Sequence, residues 1–296
     1  MRGTITTDGK YAVVIVDAMN VAHRFFNSMK FLRTGTGHGT GVIFGTLRML
    51  LKFKREYGRS TYIFAWDFPR LKRKQVYKDY KANRARAGQD FWKQVATLKE
   101  LLAKLNVRQY YSEGNEADDV IAKLVKRNRD KKTLIISNDT DMYQLIGRNT
   151  SLLSRATVNG KKTYQVVDVT KLAELTGLTP KQYLYWKIVR GDKKTDNVPP
   201  AVKNIPEEVL RKMVKALNRF SDIFELTSSD ERVQRWIKKV HEHREDLVRN
   251  YRLISLRRRK KIRLRKIPRD RNKEEACEII KRLEMFSLLK DIGKFV

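Results

Sequence analysis

The chain has a single cysteine, Cys277. That excludes an intrachain disulfide and a cysteine-rich zinc site, and it suits a reducing compartment. No apolar run reaches the ~18–20 residues of a membrane span, and "MRGTITTDGK" lacks the apolar segment of a secretory leader. A cytoplasmic protein with no membrane partner is therefore expected. Acid is scarce: 33 Asp and Glu face 65 Lys and Arg, a formal net charge of +32, so a polyanion is the natural partner. Nucleic acid leads that field, ahead of membrane surfaces and ribosomes. No internal repeat or low-complexity linker is present. Hydrophobic residues, 41% of 296 positions, can build a real core.

Turning to what is there, "YAVVIVDA", "TYIFAWD" and "KTLIISND" are continuous apolar runs, as in strands buried on both faces, and "VRQYYSE" reads as a further strand. Between them, "GVIFGTLRMLLKFKREYG" suits a helix ending near Gly58, and Phe91, Val95, Leu98, Leu102 and Leu105 form one helical stripe. The alternation predicts an α/β fold, a mainly parallel central sheet flanked by helices. After the proline-rich "NVPPAVKNIP" the segments read mostly helical. The expected division is an α/β core over residues 1–190 and a helical region over 191–296.

The scarce acids fall in telling places. Asp17, Asp67 and Asp139 close three predicted strands, Asp141 follows two residues on, and "NEADD" brings Glu116, Asp118 and Asp119 to a helix start. In an open parallel sheet the carboxyl ends of the strands form one ligand-binding rim. Carboxylates gathered there repel one another by several kcal/mol at an effective dielectric of about 20, so they need protons or cations. Hard oxygen ligands suit magnesium or manganese. For any one acid, a plain turn or first-helical-turn role is the commoner explanation; three strand ends and a helix start together weaken it. Asp119 points furthest from the Ala117, Val120, Ile121 and Leu124 packing stripe and has the least geometric support as a ligand.

In order along the chain, "VIVDAMNVAHRFF", "GVIFGTLRMLL", "IFAWD", "YKDYKANR", "EGNEADDVIA", "ISNDTDMYQL" and "LTGLTPKQYLYWKIVRGDKKTDNVP" resemble the structure-specific 5′-nucleases. That family includes flap endonucleases, the 5′–3′ exonuclease domain of bacterial DNA polymerase I, and phage 5′-exonucleases. The likeness runs from about Val14 to Pro199. It implies a PIN-like core, two divalent metals, and hydrolysis to a 5′-phosphate and a 3′-hydroxyl without a covalent intermediate. Carried over by motif, the metal ligands are Asp17, Asp67, Glu116, Asp118, Asp119, Asp139, Asp141, Asp192 and Asp196, with Asp118 between the metals. It also implies a helical arch, at about residues 70–105, whose Lys81 and Arg84 reach the scissile phosphate and whose Tyr80 stacks on a base. From the residues alone, Lys74, Lys78, Lys81 and Arg84 at spacings of three and four, with Tyr77 and Tyr80 interleaved, suit a cationic helical face for single-stranded nucleic acid. The implied partners are branched or nicked DNA, 5′ flaps and RNA–DNA hybrids, met by a monomer working with a polymerase or a single-strand binding protein; the implied task is clearing RNA primers in replication or repair.

The sequence departs from the family in one stretch. Three residues rather than two separate Asp192 from the next position of its pattern, which makes Asp196 the least secure ligand. No glycine lies between Asn197 and Leu210, where the family carries a glycine-rich hairpin, often with a bound potassium ion. Tight turns are harder there, a remodelled duplex-binding element is expected, and the potassium site is doubtful. Lys193, Lys194 and Lys203 are candidate compensating charges. So is the run from Arg252 to Arg271, with eleven basic residues, in which Arg257, Arg258, Arg259, Lys260 and Lys261 form the expected duplex grip. The rival readings are a PIN-like ribonuclease acting on single-stranded RNA and a non-catalytic nucleic-acid binder. The four tryptophans read as packing residues.

Overall fold

A computed structural model describes residues 11–58, 60–69, 72–84, 87–158, 160–256 and 262–294. The apolar runs form the strands expected of them: β1 (Val13–Asp17), β2 (Thr61–Ala65), β3 (Arg108–Tyr111) and β4 (Thr133–Ile136). Three further strands, β5 (Thr150–Val158), β6 (Lys161–Val167) and β7 (Arg265–Ile267), complete a seven-stranded sheet among the described residues. Its order is β6-β5-β4-β1-β2-β3-β7, parallel except for the two edge strands. β1 is central, and its register with β2 (Asp17 opposite Ala65) and β4 (Val16 opposite Ile136) brings three carboxyl ends level. Asp17, Asp67 and Asp139 therefore leave the sheet on the same side.

Alternate residues of the central strands feed two cores. Val14, Val16, Leu134 and Ile136 pack with α1 (Ala18–Ser28), α2 (Gly41–Tyr57) and α4 (Gln89–Lys104). Val13, Ile15, Ile63 and Ile135 pack with α5 (Ala117–Arg127), whose Ala117, Val120, Ile121 and Leu124 are buried as a stripe. Both faces covered is the reason these strands read as unbroken apolar runs. A third core joins α7 (Pro180–Arg190), α8 (Glu207–Lys215), α9 (Glu231–Glu242) and α10 (Arg244–Ile254), and Tyr80 is part of it.

The region 191–296 is largely helical and also contributes to the α/β core. β7 pairs with β3, and Ala276, Ile279 and Ile280 of α11 (Lys273–Arg282), with Met285, Leu288 and Ile292 beyond it, complete the core under α2 and α4. The chain leaves the α/β core and returns to it. One expectation needs correction: among the described residues of 70–105 there is no continuous helical arch. Of those between β2 and residue 84 only α3 (Arg73–Val76) is helical, and residues 89–104 form α4, held in the core by the stripe from Phe91 to Leu102. Turns follow α3, with Lys81 at φ 56°, so Lys74, Lys78, Lys81 and Arg84 do not share a helical face.

Candidate metal centre

Asp17 ends β1 and caps α1 directly. Its Oδ1 accepts from the Asn20 N–H at 3.1 Å and its Oδ2 from Ser137 Oγ at 2.7 Å. Asp67 Oδ1 accepts from the Ala117 N–H at 2.7 Å, which ties the end of β2 to the N-terminus of α5. Asp139 caps a 3₁₀ segment, Thr140–Leu145, accepting from the Asp141 N–H at 2.8 Å. Each carboxylate thus satisfies a backbone donor at the start of a helical element: its own next one for Asp17 and Asp139, and α5 for Asp67.

Asp118, in the first turn of α5, completes the rim. One oxygen each from Asp118, Asp139 and Asp141 lies within 4.8 Å of the others. Burial raises the Asp17 carboxyl to about 7, with Asp67 and Asp139 adding repulsion. Burial and the Asp139 charge likewise hold Asp118 well above the ordinary carboxylate range. Asp141 is pushed up to about 6, by burial against the pull of Lys187. Carboxylates buried at such a cost, with only oxygen donors in the set, fit a hard divalent cation such as magnesium or manganese. Among the described residues neither Asp17, Asp67 nor Asp139 takes part in an ion pair.

The other acids are different. Arg73, 6% exposed, pairs with Glu116, with Asp119 at 3.1 Å and, at the limit of contact, with Asp118 at 3.9 Å. Burial opposes its charge, yet the surrounding groups hold its pKa above the usual arginine value. Lys81 pairs with Glu116 as well, and lies 3.9 Å from Asp196. Arg84 reaches Asp196 at 2.6 Å. Tyr80 Oη stands 2.8 Å from both Glu116 Oε2 and Asp196 Oδ2, one phenolic proton between two carboxylates. Burial would raise Asp196, but Lys81 and Arg84 outweigh it and hold its carboxyl below the usual range. Lys187, 6% exposed on α7, bridges Asp141 at 2.5 Å and Asp192 at 2.8 Å.

The structure thus gathers the nine acids singled out in the sequence into one neighbourhood of two kinds. Asp17, Asp67, Asp118, Asp139 and Asp141 line the sheet rim. Glu116, Asp119, Asp192 and Asp196 are held by protein cations, and Lys187 also reaches Asp141 of the rim. Asp192 and Asp196 lie in a turn and not on a helical face, closed by the Asp192–Val198 bridge. Gly191 before them has φ 68°, and a Cβ there would lie 2.5 Å from the Pro199 backbone, so only glycine fits. The missing glycines further on have a substitute. Asn197 and Asn204, both at φ 56°, supply the left-handed turns, as asparagine does more readily than other side chains.

Tyr80 is 1% exposed, so its ring is a core residue here and does not offer a face for a base. Lys74, Lys78, Lys193, Lys194 and Lys203 are exposed. Arg257, Arg258, Arg259, Lys260 and Lys261 lie outside the described residues. Trp92 is 52% exposed, contrary to the packing role expected of it. Sequence reasoning missed Arg73 and Lys187. Lys187 carried a signal, a lone charge among the buried Leu184, Tyr185, Ile188 and Val189 of one helix. Arg73 carried none, being one cation in a crowd of them.

Residues 12–177 match the family model described as the N-terminal, resolvase-like domain of 5′-3′ exonucleases. Over 99% of its length the chain is 30% identical to thermostable DNA polymerase I of Thermus aquaticus, of which it spans 34%. It is 28% identical to a 5′-3′ exonuclease of Aquifex aeolicus over 95% of this chain and 94% of that one. Among solved structures, the T5 D15 protein co-crystallised with metal ions superposes with a TM-score of 0.66 at 19% identity, covering 96% of this chain and 99% of the other. That last likeness concerns the fold. The chain spans about a third or less of the polymerases it matches.

Proposed function

The chain belongs to the 5′-3′ exonuclease family, and on that footing we propose that it is a magnesium-dependent, structure-specific 5′-nuclease acting on 5′ flaps, nicks and the RNA ends of RNA–DNA hybrids. The observation that carries the reading is the meeting of Asp118, Asp139 and Asp141, from two separate elements, at a rim that Asp17 and Asp67 also reach. Two divalent ions held by these acids would activate a water, polarise the phosphodiester and stabilise the leaving 3′-oxygen.

The chain's own groups set the stage for that chemistry. Ser137 and Asn20 fix the two oxygens of Asp17, leaving its orientation no freedom. The Ala117 N–H does the same for Asp67. Lys81 and Arg84 stand beside the acids, paired with Glu116 and Asp196, and on exchanging those partners for substrate they would offset the negative charge that grows on the phosphate. Lys81 is held in its left-handed conformation by an N–H bond to the Asp196 carbonyl at 2.9 Å. Lys74 and Lys78, exposed and without ion-pair partners among the described residues, would take substrate backbone, and Lys203 flanking duplex.

The test is a 5′-labelled flap duplex incubated with magnesium, beside single-stranded RNA and beside an Asp139→Asn, Asp141→Asn variant. Cleavage near the flap junction that needs magnesium and drops roughly 10³-fold or more in the variant is expected, since several kcal/mol of transition-state stabilisation go with the metals. Cutting of RNA alone would mean a ribonuclease. Tight binding without cutting would mean a non-catalytic relative.

A further inference from the structure

Resting on the nuclease reading, a further assignment concerns the turn Asp192–Asn197. Among the described residues, four cations beside the acids are occupied: Arg73, Lys81, Arg84 and Lys187 each hold a carboxylate. Lys193 and Lys194 are not. Both are exposed, and neither has an ion-pair partner among the described residues.

The turn that carries them is fastened to the segment that carries Lys81. Asn83 Nδ2 donates to the carbonyls of Lys193 (3.3 Å) and Lys194 (3.1 Å). Arg84 Nε donates to the Thr195 carbonyl at 3.2 Å, and Asn197 Nδ2 returns a bond to the Asp79 carbonyl at 2.9 Å. With the Lys81 N–H on Asp196 O, residues 79–84 and 193–197 are joined along their length. A loop held this way presents its lysines at a fixed distance from the catalytic cations. The side-chain charge stays outside, and the backbone carbonyls are used up inside.

The obvious competitor for a phosphate is the N-terminus of α8, and the charge around it disfavours anions. Its cap is Pro206, which has no N–H, and its first turn carries Glu207 and Glu208. Glu207 is held by Arg211 at 2.7 Å and by Trp186 Nε1 at 2.9 Å, and Glu208 by Arg232 at 2.6 Å. These carboxylates make no cap bond to the helix end, but their negative charge in its first turn disfavours a phosphate there.

We propose that Lys193 and Lys194 grip two backbone phosphates of the nucleic acid beside the reacting bond, and that this turn, not the start of α8, is the phosphate-reading element of the helical region. The experiment is equilibrium binding of a 5′-flap DNA duplex with calcium in place of magnesium, across roughly 50 to 200 mM salt. For the Lys193→Gln, Lys194→Gln pair, the slope of log K against log salt should be shallower than wild type by about 1.8, near 0.9 for each phosphate no longer neutralised. The Lys193→Arg, Lys194→Arg pair should keep the wild-type slope. An unchanged slope in the glutamine pair overturns the proposal. So does a slope reduced equally in the arginine pair, which would trace the effect to a disturbed turn. Binding is read without cleavage, so a chain that fails to cut flaps would refute the nuclease reading and leave this result standing.

Discussion

The acids of the sheet rim and those facing the helical region are the same side chains put to opposite electrostatic ends. Around Glu116, Asp119, Asp192 and Asp196 the protein supplies its own counter-charge through Arg73, Lys81, Arg84 and Lys187. Around Asp17, Asp67 and Asp139 the described residues supply no ion pair, and desolvation drives the Asp17 and Asp118 carboxyls toward protonation. Folding has satisfied one half of the site and left Asp17, Asp67 and Asp139 of the other waiting for charge from outside, while Asp141 shares Lys187. In a chain with a net charge of +32, withholding cations from one spot requires placement, not shortage.

The comparison can be broken most forcefully at Arg73. Its removal by Arg73→Ala would leave Glu116 and Asp119 buried without their partner, and unfolding stability measured in denaturant should fall by about 3–5 kcal/mol. Arg73→Lys should recover part of it. A loss under about 1 kcal/mol would mean that the paired half is no better neutralised than the rim.

The rim should answer pH in the opposite sense. Asp17, with a folded pKa of about 7 against 3.8 for the ordinary carboxyl, keeps its proton in the folded state over a range where the unfolded chain has lost it. Stability from this group therefore declines as pH rises from 4 towards 7. Asp118 and Asp141, raised in the same way, add to the decline. His23, which desolvation lowers, works against it as one group among them. With chelator present, the melting temperature at pH 8 should lie about 5 °C below that at pH 5, the equivalent of roughly 2 kcal/mol, and magnesium should remove the difference. A melting curve independent of pH in chelator would contradict the account of the rim.

A smaller effect follows at the same residue. Asp17→Asn removes a disfavoured charge, so in metal-free protein at pH 8 it should stabilise by about 1–2 kcal/mol, where Arg73→Ala destabilises. If both variants destabilise, the contrast between the two halves is lost. Smallest is Asn83→Ala, which frees the turn bearing Lys193 and Lys194 from the Lys81 segment. A loss of about 1 kcal/mol, and faster amide exchange confined to residues 192–197, would show the fastening.

The rim itself was legible before the structure, because strand ends are marked by where apolar runs stop, and the stopping residues were Asp17, Asp67 and Asp139. A parallel sheet then leaves them only one edge to occupy. The helix stripe of α4 was legible for a similar reason, but its place in the core was not: the arch implied by resemblance claimed the same residues, and five buried apolar side chains outweigh a basic preamble. The course of residues 72–84 could not be read, since their conformation follows from long-range partners, Glu116 and Asp196, and not from local propensity. β7 has three residues and two charges, no strand signal at all; it forms because β3 offers an open edge. Asn197 and Asn204 show that left-handed turns form here without the glycines whose scarcity made them look harder.

The central claim is that the rim acids exist to hold divalent cations, and manganese titration by paramagnetic resonance or calorimetry tests it with no substrate present. Wild-type protein should bind two ions per chain, released by excess magnesium, and the Asp139→Asn, Asp141→Asn variant should lose at least one of them. Binding of equal stoichiometry and affinity in wild type and variant would contradict it.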